Sequence, residues 1–135
     1  MVRKCSLGYG AITMKLKGKN LEIKHYWSPD IYDPWTWEPI DNNVFYLLEM
    51  NIGMSGEDAS DIYSVIVATT EGVSALKDKN NMLNKQYKLI LVGEYSWERV
   101  MSILNSIVLN IEIKSDIYIS QELCRYFYWE YDSME

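Results

Sequence analysis

The chain contains a single histidine, His25, and that bounds its chemistry. Zinc sites built from paired imidazoles and a Ser-His-Asp triad would each have to centre on this side chain. It stands at the end of a strand-like run beside Tyr26 and Trp27, a setting that reads as a structural imidazole. Gly8 and Gly10 precede a strand rather than a helix, and no Gly-Lys-Ser or Gly-Lys-Thr follows, so no phosphate-cradling loop is expected. The stretch NIGMSGEDASD at residues 51–61 crowds acids around glycines but lacks the alternating Asp/Asn ligands and closing Glu of a calcium loop. Cys5 and Cys124 have no metal-ligand spacing and cannot form a disulfide framework, so both read as reduced thiols. The expectation is no catalytic residue, no metal and no cofactor.

The carboxylates are more informative. HYWSPDIYDPWTWEPID, residues 25–41, holds all three prolines of the chain, three of its five tryptophans, the acids Asp30, Asp33, Glu38 and Asp41, and no lysine or arginine. A pair of these acids could serve a hydrolase, but nothing in the sequence raises the pKa of one over another. A binding surface fits the composition better. Tryptophan and tyrosine bury large areas with few rotatable bonds, and proline lowers the entropy lost when a loop is ordered against a partner. Trp27, nearest the strand, is expected to fold back onto the sheet, whereas Trp35 and Trp37 could equally plug the sheet or meet a partner.

Charge is placed unevenly around the net value of -6. Residues 1–24 carry six basic side chains against Glu22 alone, while residues 25–76 carry nine acids, among them Glu57, Asp58 and Asp61, and no lysine or arginine. Such a run repels nucleic acid and anionic lipid and attracts a basic protein through the same long-range field. No apolar run reaches the roughly 18 residues of a membrane span or has the form of an export signal, so a cytoplasmic location is expected.

The 135 residues suit one domain that should fold alone. Alternation at residues 12–16 and 21–24 around a Gly18-Lys19-Asn20 turn predicts a hairpin. NVFYLLEMNIG and DIYSVIVATT predict a second hairpin, TEGVSALKDKNNMLN a weak helical turn, and QYKLILVGEY a short central strand. Ser96 offers a helix cap with Glu98 in the first turn. Trp97, Val100, Met101, Leu104, Ile107, Val108 and Ile111 then recur at helical spacing. Asp116 could cap a second helix turning Ile119, Leu123, Tyr126 and Phe127 inward. The expected architecture is α+β: an antiparallel sheet of about five strands with two main helices on one face.

Taken in order, the strand into HYWSPDI, the Trp/Pro loop, FYLLEMNIGMSGEDASDIYSVIVAT, LILVGEYSWERVMSIL and the terminal LCRYFYWEY resemble the immunity protein 8 family of bacterial polymorphic toxin and contact-dependent inhibition loci. The resemblance spans roughly residues 21–132, and its most specific pieces are Ser28-Pro29-Asp30 and Trp129-Glu130. Residues 1–20 form an extension beyond it. The resemblance implies a non-enzymatic protein that binds a cognate toxin domain and blocks it. A basic nuclease-type toxin suits the acidic surface. Asp30, Asp33, Trp35, Trp37, Glu38, Asp41, Glu57, Asp58 and Asp61 are then the candidate toxin contacts. Trp27, Pro29, Trp97, Trp129 and Glu130 are candidate structural residues, with Trp129 packed under the sheet and Glu130 on backbone donors or Arg125. A monomer or weak homodimer is expected. Two alternatives stand beside this reading. One is a small ligand-binding or hydrolytic domain with a cleft between the Trp loop and the terminal helix. The other is an oligomeric adaptor joined through Tyr118, Tyr126, Tyr128 and Tyr131.

Overall fold

The computed structural model describes residues 20–75 and 88–131. The expected strand at residues 12–16, and Cys5, lie outside the described residues. The elements run β1 (Leu21–Trp27), β2 (Phe45–Met54), β3 (Asp61–Thr69), α1 (Thr70–Ala75), β4 (Leu89–Val92), α2 (Trp97–Leu109), α3 (Asp116–Leu123) and β5 (Tyr128–Trp129). They build an α+β fold around one five-stranded sheet ordered β1-β2-β3-β4, with β5 also on β3.

Strand β3 is the centre of the sheet. Its sequence is rich in branched residues, and every position from Tyr63 to Thr69 is buried. One edge of β3 pairs antiparallel with β2, from Phe45↔Ala68 to Ile52↔Asp61. The other edge is shared by β4, in parallel register from Ile66↔Leu89 to Thr69↔Val92, and by β5, antiparallel at Tyr63↔Trp129 and Ser64↔Tyr128. The sheet is therefore mixed, not antiparallel throughout. A parallel pair needs a crossover connection, which residues 70–88 provide, beginning with α1. The expectation of a central β4 also fails: β4 is an edge strand whose Leu89 and Leu91 are exposed while Val92 is buried. A continuous apolar run of four residues does not reveal its own position in a sheet.

Period-two alternation sorts the sheet faces. Tyr46, Leu48, Met50 and Ile52 of β2 and Tyr63, Val65 and Val67 of β3 join the main core with Val100, Leu104 and Val108 of α2, Ile119 and Leu123 of α3, and Phe127. Leu47, Ile66 and Ala68 point the other way into a smaller cluster with Phe45 and Val73. The register of β1 on β2 shifts between Ile23 and His25. This irregularity at Lys24 keeps Leu21, Ile23 and Tyr26 on the main core and leaves His25 exposed.

Helix α2 follows its sequence pattern: every residue of the expected stripe from Trp97 to Ile111 lies in or against the core, and Ser96 Oγ accepts from Arg99 N at 3.1 Å. Helix α3 is capped by Ser115, whose Oγ accepts from Tyr118 N at 3.1 Å, with Asp116 following in the first turn rather than capping. The helix ends at Leu123, so Tyr126 falls in a turn and is exposed while Phe127 is buried. No helix among the described residues is long and apolar enough to cross a membrane.

The C-terminal strand closes the core. Trp129 stacks on Tyr63 at 6.1 Å and meets Tyr131 edge-on at 5.4 Å. Glu130 holds the backbone of Ile62 from both sides: its N–H donates to Ile62 O and its Oε1 accepts from Ile62 N, each at 3.2 Å. Arg125 lies instead beside Glu122, at 3.3 Å. Trp129→Ala is expected to cost about 3 kcal/mol, since a half-buried indole on the core is removed and β3 loses its β5 partner surface. A thermal melt shifted by only a degree or two would show that this ring carries little of the packing.

Candidate partner-binding groove

The residues between β1 and β2 form a loop with little freedom. Ser28 Oγ accepts from Asp30 N at 3.0 Å and Ile31 N at 3.3 Å. The Asp30 carboxylate accepts from Leu47 N at 2.9 Å, satisfying a β2 donor just beyond the end of β1, where no strand is left to take it. Asp33 O accepts from Thr36 N and Trp37 N, both at 3.0 Å, so a tight turn follows the buried Pro34. Asp41 Oδ1 accepts from Asn43 N at 3.0 Å, the local side-chain turn that aspartate favours.

Asn42 ties this loop to the rest of the molecule. Its Nδ2 donates to Gly93 O at 2.8 Å and Glu71 Oε1 at 3.2 Å, and its Oδ1 accepts from Tyr95 N at 3.0 Å. Its backbone oxygen accepts from Thr69 Oγ1 at 2.6 Å. One asparagine thus joins the loop to β3, α1 and the turn into α2. Nothing in the sequence singles it out, because its partners are as much as 53 positions away. At about 1 kcal/mol per bond, the set outweighs any single contact within the loop.

Between the loop and the start of α2 lies a groove of about 690 Å³. Trp35, Trp37, Tyr95 and Trp97 supply its aromatic walls, and Glu38, Asp41, Glu94 and Glu98 its carboxylates. Among the described residues no lysine, arginine or histidine lines it. The ligand-binding alternative places a cleft between the Trp loop and the terminal helix; the groove at the Trp loop has residues 94–98 as its other wall. The rings are held by their neighbours: Trp35 lies edge-on to Tyr26 at 5.9 Å, and Tyr26 meets Trp97 at 5.3 Å. Trp37 meets Tyr46 at 5.8 Å and Tyr95 at 5.5 Å. Behind the wall the Tyr46 and Tyr95 hydroxyls are 2.8 Å apart. Burial pushes both phenols above their ordinary pKa, so both stay neutral and the pair is a hydrogen bond at any physiological pH.

The candidate contacts divide between two ends of the sheet. Asp30, Asp33, Trp35, Trp37, Glu38 and Asp41 belong to the loop at the groove end. Trp35 is 48% exposed, Tyr32 94% and Ile40 100%, whereas Trp37 is half-buried against the core. Glu57, Asp58 and Asp61 belong to the β2–β3 hairpin at the opposite end, because Leu21 pairs with Met54 and Trp27 with Glu49. The length of β2 separates the two groups by roughly 30 Å. A run of acids continuous in sequence therefore does not form one continuous patch. Glu94 and Tyr95, in the turn before α2, and Glu98, in its first turn, complete the groove, and nothing in their local sequence joins them to the loop.

Among the expected structural residues, Trp27 lies on the sheet face turned away from α2 and donates through Nε1 to Glu49 Oε1 at 2.6 Å. Pro29 is exposed, and Trp97 is both a core neighbour and a groove wall.

Asp61 carries an electrostatic penalty. Desolvation, followed by the charges of Glu130 and Asp116, raises its pKa. The folded form therefore holds its proton to higher pH than the unfolded form. The resulting destabilisation is absent below the ordinary carboxylate range and fully present above the raised folded value. Asp61→Asn is expected to raise the melting temperature at pH 7 by a few degrees at most, with the gain vanishing as pH falls below about 4. A gain that persists in acid would point to a cause other than charge.

No characterised protein and no solved structure matches the chain. The family model for immunity protein 8 matches residues 21–134, a span that takes in every described strand and helix as well as both walls of the groove. The chain therefore belongs to the immunity protein 8 family.

Proposed function

We propose that this protein neutralises a basic toxin domain of the nuclease type, covering the toxin's phosphate-binding active site with the acidic, aromatic end of the sheet. Family membership supports binding of a cognate toxin protein. The single observation that supports this end as the contact is the joining of Glu38, Asp41, Glu94 and Glu98 with Trp35 in one concave surface. A nuclease must hold phosphates in a positive channel, and its field is complementary to such a surface. A loop already fixed by Ser28, Asp30 and Asn42 loses little entropy on binding. The protein acts by occlusion in the cytoplasm of the producing cell and performs no chemistry of its own.

Co-expression with the toxin domain encoded beside its gene tests the reading. The expected result is survival of the host, a complex that co-purifies, and loss of nucleic-acid cleavage by the purified toxin on addition of this protein. Survival without a complex would overturn direct occlusion, and a neighbouring toxin with no positive surface would overturn the nuclease assignment.

A further inference from the structure

We propose that the groove between the Trp/Pro loop and α2 is a receptor for an arginine side chain, presented on a loop of the toxin. The inference rests on the immunity reading above and adds the chemistry by which the partner is gripped. A volume of about 690 Å³ falls within the range of pockets that enclose whole small ligands, about 300 to 1,000 Å³, so a long side chain and the turn carrying it fit together.

The lining selects a cation. Among the described residues, four carboxylates, of Glu38, Asp41, Glu94 and Glu98, share the groove with four aromatic side chains and no basic one. Arg99, next along α2, is already directed to Glu94 O at 2.8 Å. An anion would meet repulsion throughout, and a neutral apolar residue would leave the carboxylates without counter-charge.

Arginine satisfies both parts of the lining better than lysine. Its guanidinium is planar, stacks on indole faces, is weakly hydrated and forks onto a carboxylate through two N–H groups. Lysine offers a compact, strongly hydrated charge that gains less from an aromatic wall. The walls are set before binding. Trp35 and Trp97 are both held by Tyr26, and Trp37 by Tyr46 and Tyr95. Trp35 keeps nearly half its surface open.

The indole N–H signals of the five tryptophans report the site directly. Titrating the isotope-labelled protein with acetyl-Gly-Arg-Gly-amide should shift the signals of Trp35, Trp37 and Trp97 saturably, while Trp27 and Trp129 stay in place. The lysine tripeptide should require about fivefold higher concentration. The Glu38→Gln/Glu94→Gln variant, whose exposed positions leave folding intact, should bind the arginine probe about fivefold more weakly. Non-saturating shifts, equal movement of all the indoles, equal response to lysine, or an unchanged double variant would overturn the proposal. Toxin experiments separate it from the immunity reading. A wild-type protein that fails to protect against the neighbouring toxin overturns immunity, and with it the toxin as source of the arginine. A wild type that protects, matched by a double variant binding the toxin as tightly, overturns the arginine receptor and leaves immunity standing.

Discussion

Replacing Gly72 by alanine is expected to destabilise the domain by about 3 to 5 kcal/mol, enough to unfold a protein of ordinary stability at moderate temperature. In an open helix the same change is favourable by up to about 1 kcal/mol, so its sign reports the environment. A Cβ at Gly72 would stand 1.8 Å from Val44 O, 2.5 Å from Val44 C and 2.9 Å from Val44 N. These are backbone atoms of the residue just before β2, and no rotamer change removes them. Helix α1 would have to move, and its anchor would move with it. Gly72 N donates to Thr69 Oγ1 at 3.0 Å, and the same oxygen accepts from Val44 N at 3.1 Å and donates to Asn42 O at 2.6 Å. Each bond is worth about 1 kcal/mol, in addition to the steric cost of overpacking. Urea denaturation of the variant measures the loss. An alanine protein as stable as wild type would mean that α1 does not lie on Val44.

The same knot explains which parts of the molecule were legible in the sequence. The stripe of α2 follows from helical spacing alone, and its cap from Ser96, because both depend on neighbours within a turn. The alternation of β2 and β3 is equally local. The direction of β4 is not, since LILV pairs equally well either way and only the crossover decides. The candidate site was half visible. Tryptophan, proline and acid marked residues 25–41, but the other wall, Glu94 to Glu98, is brought there by Asn42, whose polar side chain has no local signature. Linear charge misled in the opposite direction: Asp58 and Glu38 share a sequence run yet sit at opposite ends of β2. The length of β2 is the physical reason: its 10 residues carry the chain to the far end of the sheet before Gly56, at φ +79, a conformation glycine adopts without strain, helps turn it back into β3.

That separation supplies the sharpest functional prediction. Reversing charge at the groove, with Glu38→Lys and Glu94→Lys together, is expected to slow association with the toxin by about tenfold at physiological ionic strength, since electrostatic steering raises on-rates by about 10- to 1,000-fold. The same reversal at the hairpin, Glu57→Lys with Asp58→Lys, should change the rate by less than about twofold. The net charge change is identical, but the hairpin is roughly 30 Å from the groove, several times the Debye length of about 8 Å at physiological ionic strength. Raising salt should slow the wild type towards the groove variant, because screening removes the field that the mutations invert. Trp35→Ala should leave association nearly unchanged and hasten dissociation, since it removes contact area that forms only once the partners have met. Surface plasmon resonance on the purified pair separates the two rates. If the hairpin reversal slows association and the groove reversal does not, the toxin binds the opposite end of the sheet, where Asp61 lies beside Asp116 and Glu130, and the Trp/Pro loop serves the fold rather than the partner.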